Sequence, residues 1–142
     1  MFNPRNPLFL LAVVVATTSL GCGSGDHGPK RFPISGEVTF DGEPIEMGDI
    51  LFVPEDADAA TDAGSIRGGT YHLEATAGAK RVEIRAIREI PGKLVEDGAN
   101  PGKKRAAEEE FIPAQFNSES RLTVDVATNG SQTFDFNLES HD

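Results

Sequence analysis

Apolar residues recur at every second position in short runs along most of this chain, and that period constrains the fold more than any other feature. In residues 81–87, Val82, Ile84 and Ala86 alternate with Arg81, Glu83 and Arg85. Leu122, Val124 and Val126 repeat the pattern, as do Phe134, Phe136 and Leu138, while Tyr71 and Leu73 flank His72. Successive side chains of a strand point to opposite faces, so each run describes a strand with one buried and one wet face. His72 falls on a wet face. Ile50-Leu51-Phe52-Val53 is apolar on both faces and reads as a well-covered central strand. Asp41-Gly42 and Asn129-Gly130, lying between runs, accept the positive φ values that two-residue hairpins require. Short alternating strands separated by turn signals, with little helix, predict an all-β fold, an antiparallel β-sandwich.

Two stretches do not alternate. Residues 56–64 are polar and Ala-rich and read as a loop. Residues 89–113 form a long polar insertion interrupted by Pro91 and Pro101. Its composition favours disorder or a loose flap over a binding loop. Within it, residues 103–111 offer a short helix as an alternative, because Lys104/Glu108 and Arg105/Glu109 are spaced i,i+4. One isolated helix of that length is marginal.

The amino-terminal end has the three parts of an export signal. Residues 1–7 carry the free amino group and Arg5, residues 8–16 are uninterruptedly apolar, and small residues lead to Gly21-Cys22. The apolar run is too short to span a bilayer, which needs about 20 residues. Cys22 is the only cysteine, so no intramolecular disulfide is possible, and a lone cysteine in an exported chain asks for a special role. The stretch Ser19-Leu20-Gly21-Cys22 resembles the lipobox of bacterial lipoproteins, and the resemblance implies cleavage between Gly21 and Cys22 and attachment of lipid to Cys22. Residues 1–21 are then a signal peptide, residues 22–31 a flexible tether, and residues 32–139 the folded domain. Acylation with two or three chains gives a stable hold on a membrane, at about 0.8 kcal/mol per buried methylene. The expected location is the cell envelope, with the domain outside the cytoplasm.

The formal net charge is −10, and Arg5 is the only charged residue of the signal segment. Such an excess of acid disfavours nucleic acid and anionic surfaces as partners. A search for chemistry finds little. The three histidines, His27, His72 and His141, are far apart, and no His-Glu-x-x-His or Gly-x-Ser-x-Gly motif occurs. Gly64-Ser65-Ile66-Arg67-Gly68-Gly69 lacks the Lys-Ser/Thr that a phosphate loop needs. The best carboxylate cluster is Glu55, Asp56, Asp58 and Asp62, a weak candidate for calcium because EF-hand spacing is missing. Lys103-Lys104-Arg105 followed by Glu108-Glu109-Glu110 reads as a self-neutralising charged surface. No cofactor is expected. The favoured reading is a lipid-anchored, non-catalytic envelope module with a structural or protein-interaction role, its partner another envelope protein. The alternative is a calcium-dependent binder or an enzyme using the acidic 55–62 loop or the 90–111 flap.

The strand motifs also carry a resemblance. Pro33-Ile34-Ser35-Gly36-Glu37-Val38-Thr39-Phe40-Asp41-Gly42-Glu43-Pro44-Ile45, then Gly48-Asp49-Ile50-Leu51-Phe52-Val53-Pro54, Gly69-Thr70-Tyr71-His72-Leu73 and Gly78-Ala79-Lys80-Arg81-Val82-Glu83-Ile84, resemble the ordered strands of carboxypeptidase regulatory-like domains. With Ile112-Pro113-Ala114-Gln115-Phe116-Asn117 and the cysteine after the signal, the chain is similar to small lipoproteins of planctomycete bacteria. The resemblance implies a transthyretin-like, seven-stranded Greek-key sandwich with an accessory, non-catalytic role, and a diacylglyceryl thioether on Cys22. It departs at Arg67-Gly68-Gly69, where the family has Asp-x-x-Gly, and in the longer insertion. The hydroxyisourate hydrolases of that fold carry a first-strand His and a Tyr-Arg-Gly-Ser carboxyl end. Here Val38 and Phe40 occupy the first strand and the chain ends Glu139-Ser140-His141-Asp142, so that activity is not implied.

Overall fold

The structure, a computed structural model, describes residues 28–140; the signal segment, Gly21, Cys22 and the first part of the expected tether lie outside the described residues. Ten strands follow in order: β1 Arg31–Phe40, β2 Glu43–Pro44, β3 Met47–Pro54, β4 Asp62–Arg67, β5 Thr70–Thr76, β6 Gly78–Glu96, β7 Lys104–Glu110, β8 Thr123–Val126, β9 Gln132–Thr133 and β10 Phe136–Leu138. A single 3₁₀ turn, Ala114–Phe116, is the sole helical element among the described residues. The expected all-β class holds. β1 begins at Arg31, inside the stretch expected to be tether.

The strands form one curled, mainly antiparallel sheet, a half-barrel, whose main path runs β10-β1-β5-β4-β3-β6-β7. β9 and β10 run parallel to β1, and β8 pairs with the first residues of β6. The curl has a visible seam. β4 and β5 share only the pairs Ile66↔Tyr71 and Arg67↔Thr70 before the ladder opens. The sheet closes over on itself there, and Phe52 of β3 comes to face Tyr71 of β5 with ring centroids 6.4 Å apart.

Local sequence sets the turns. Asp41 and Gly42 both have positive φ (50° and 83°), the conformation that joins β1 to β2 through a two-residue loop. Gly68 and Gly69 do the same between β4 and β5, so the departure at Arg67-Gly68-Gly69 still yields a tight hairpin. The inward residues of the alternating runs, among them Ile34, Val38, Ile50, Phe52, Val82 and Ile84, are buried in one core. Tyr71 is buried with them, and its hydroxyl donates to the carbonyl of Phe134 at 2.8 Å. A side chain at Gly36 would collide with that same carbonyl and with the Tyr71 ring. A glycine is therefore needed for the Phe134 segment to lie against β1.

The insertion at 89–113 is neither helix nor loose flap. β6 runs on to Glu96 and turns back as β7, so the two build a β-arm. The i,i+4 pairs that suggested a helix are not made. In a strand such residues lie roughly 13 Å apart, and the acids and bases pair otherwise: Arg88 with its cross-strand partner Glu109 at 2.8 Å, Arg105 with Glu108 at 3.2 Å. The register shifts between Glu89 and Leu94, so residues 90–93, including Pro91, bulge out of the ladder. Bulges are where a strand tolerates proline. The arm's turn is locked by Asp97, which accepts from the Ala99 amide at 3.0 Å and the Asn100 side chain at 2.7 Å. Those hydrogen bonds, the Asn100 one foremost, lower its pKa.

Tyr71 gives a test of the core. Burial pushes its phenol well above the ordinary tyrosine pKa, and the Asp135 carboxylate adds to the shift. An unfolded tyrosine ionises near pH 10. The folded state therefore keeps its full share of stability below about pH 10 and loses it as pH rises further. Because Tyr71 is the only tyrosine, tyrosinate absorbance reports it alone. Absorbance and unfolding should rise together in alkali. Ionisation near pH 10 with the fold intact would contradict the buried, bonded phenol.

Candidate functional site

The acidic cluster expected at 55–62 does not come together. Asp62 opens β4 rather than ending a loop, and it is buried. Its carboxylate accepts from Arg31 Nη1, the Thr76 amide at 3.0 Å, the Thr76 hydroxyl at 3.2 Å and Lys80 Nζ at 3.3 Å. Lys80 is itself buried, and its ammonium also donates to the Thr76 hydroxyl at 2.6 Å. Asp62 is thus spent on holding the starts of β1, β4 and β6 and the end of β5. Glu55, Asp56 and Asp58 stay exposed in the loop between β3 and β4, where Asp56 accepts from the Asp58 amide at 3.1 Å. Together with Arg31 and Lys80 they line an open cleft of about 640 Å³. Among the described residues no three His, Cys, Asp or Glu side chains converge to hold a metal ion. His72 is exposed on β5, as the alternation required.

The other expected site, the flap, has structure and position. From β1 through β5, β4 and β3 to β6, every step is antiparallel, so β1 and β6 run the same way. Both start at the Asp62 end. Arg88 lies beside Phe40 and Asp41, at the far end of β1. The rest of β6 runs past the domain; with its bulge taken out it spans the five residue steps of β7 from Glu109 back to Lys104, roughly 17 Å. The chain therefore enters at one end of the sheet and the arm leaves from the other.

The arm carries apolar surface that the core does not use. Met47, Ile87 and Leu94 are the large exposed apolar residues among the described ones. Met47 and Ile87 line a cleft of about 310 Å³ at the arm's root, with Asp49, Arg67, Arg85 and Glu110 around them. Directly opposed residues of an antiparallel pair share a face. Ile87 opposes Glu110, Glu89 opposes Glu108, and Leu94 opposes Ala106. One face of the arm thus bears Ile87 and Leu94 among acids and bases, continuous with Met47 at the root. The sequence hid this because neither face of the arm is fully buried. The signal that marks the hairpin is the turn string Asp97-Gly98-Ala99-Asn100-Pro101-Gly102.

No protein-family profile matches the chain, and no curated protein matches it. Among solved structures, a candidate adhesin from Bacteroides ovatus aligns over 78% of this chain and 44% of its own, with 12% identity and a TM-score of 0.45. A 9R-lipoxygenase from Cyanothece aligns over 77% of this chain and 16% of its own, with 15% identity and a TM-score of 0.34. The chain spans less than half the length of either.

Removing the Asp62 carboxylate leaves Lys80 buried without its counter-charge. Asp62→Ala is expected to cost about 3–5 kcal/mol, the range for breaking a buried pair from one side. Urea unfolding measures it. A loss under about 1 kcal/mol would mean that the cluster does not hold the sheet ends together.

Proposed function

We propose that this protein is a non-catalytic, lipid-anchored module of the cell envelope that works by contact, presenting its β-arm to a protein partner. The observation that carries the contact reading is the arm itself: a projecting hairpin with exposed Ile87 and Leu94, continuous with Met47. Apolar side chains gathered on a projection, rimmed by charge, are what a docking surface needs. The anchoring half rests on Cys22 after a short apolar run and small residues. With the chain entering at the Asp62 end, a lipid at Cys22 leaves the arm pointing away from the bilayer. The seam between β4 and β5, with β1 and β5 facing β3 across the core, supports reading the curled sheet as a Greek-key sandwich of the carboxypeptidase regulatory-like kind.

Two measurements test the halves separately. Cys22→Ser should move the protein from the membrane to the soluble fraction, and a variant that still partitions like the wild type removes the anchor. Leu94→Asp with Ile87→Asp should leave the melting temperature within a few degrees of the wild type, since both side chains are exposed. The same variant should abolish crosslinking of the arm to its neighbours in native membranes; unchanged crosslinks would defeat the contact reading.

A further inference from the structure

β7 is the last strand of the sheet path, and no strand covers its outer edge among the described residues. The Phe111 amide donates to the carbonyl of Ala86, and the Asp97 amide donates to the carbonyl of Lys103. Residues 103 and 111 thus turn their backbone groups toward β6. Strand alternation gives residues 105, 107 and 109 the same sense, and it leaves the amides and carbonyls of Lys104, Ala106, Glu108 and Glu110 on the open edge. The Arg105 guanidinium, wrapping round to the Ala106 carbonyl at 3.4 Å, marks that carbonyl as edge-facing.

An open edge is a template for another strand. Proteins commonly protect such edges with charged side chains, which repel an identical strand when they carry one sign. Here the charges are sorted: Lys103, Lys104 and Arg105 form one half, Glu108, Glu109 and Glu110 the other, and Ala106 and Ala107 sit between. Reversed end to end, this string is its own electrostatic complement. We propose that the arm pairs edge to edge with the β7 strand of a second copy, antiparallel, about a two-fold axis passing through Ala106 or Ala107. Edge geometry allows only those two registers near the centre. With the axis at Ala106, Lys104 opposes Glu108 and Lys103 opposes Glu109 of the other copy. With the axis at Ala107, Lys104 opposes Glu110 and Arg105 opposes Glu109. Each arrangement sets four opposite-charge pairs across the ladder, and an in-register parallel pairing would set like against like throughout. The small alanines at the axis let the strands close without a steric clash, and the contact is isologous, the form that closes a dimer. The two arms then make one four-stranded sheet, and the apolar faces that carry Ile87 and Leu94 become continuous.

This names the partner of the contact surface proposed above and so rests on that reading, but it does not depend on the lipid. The full-length chain in detergent, followed by sedimentation velocity across a concentration series, should show a reversible dimer that weakens as salt is raised. Two charge-reversed variants decide the geometry: Lys103→Glu with Lys104→Glu and Arg105→Glu, and separately Glu108→Lys with Glu109→Lys and Glu110→Lys. Each alone should self-associate roughly a hundredfold more weakly, as four attractive pairs become repulsive. Mixed one to one, they should pair with each other at about the wild-type strength, which also shows that both are folded. A wild-type chain that stays monomeric, variants that dimerise unchanged, or a mixture that fails to recover would each overturn the pairing. If the Leu94→Asp, Ile87→Asp variant loses its envelope crosslinks while the charge reversals change nothing, the contact surface stands and its partner is another protein.

Discussion

One buried carboxylate sets the conditions for this fold. β5 and β6 are joined by Ala77 alone, yet β4 and β3 lie between them in the sheet. So short a link is possible only if the sheet curls until the end of β5 meets the start of β6. Asp62 holds that closure. Its oxygens take the Thr76 amide, for which the open β4–β5 ladder offers no backbone acceptor, and they pair with the buried Lys80 and the partly exposed Arg31. Burying charges is costly, and it is sustainable here because nearly every polar atom in the knot has a partner.

Much of the rest follows from where that closure puts things. With β5 folded over β3, the inward residues of both form one core, and Tyr71 reaches across to Phe134. Gly36 keeps the approach open. The same closure leaves β6 free to run past the end of the domain, since β3 stops opposite Ala86. The arm therefore grows out of the central sheet and not from a loop attached to it. Its stiffness comes from the β6–β7 ladder on either side of the bulge at 90–93, the Arg88–Glu109 pair and the Asp97 turn.

The alternating strands were legible because each divides a dry side from a wet one, and that division is written in period two. Asp41-Gly42 was legible because few dipeptides take positive φ at both positions. Asp62 was misread because an acid at a strand start looks like the end of a polar loop. The clue was across the chain: Lys80 stands in phase with Val82 and Ile84, so a lysine had to be buried and an acid had to meet it. The arm was misread for the opposite reason. A hairpin with two wet faces shows no hydrophobic period, and charges three and four apart then mimic a helix.

The common direction of β1 and β6 has a mechanical consequence. A pull applied between the amino-terminal end of the domain and the arm tip acts along the strands, not across them. The ladders joining β1, β5, β4, β3 and β6 are then sheared, so many hydrogen bonds must yield at once instead of parting one after another like a zip. A domain strung this way resists tension between its two ends far better than a sheet peeled from an edge.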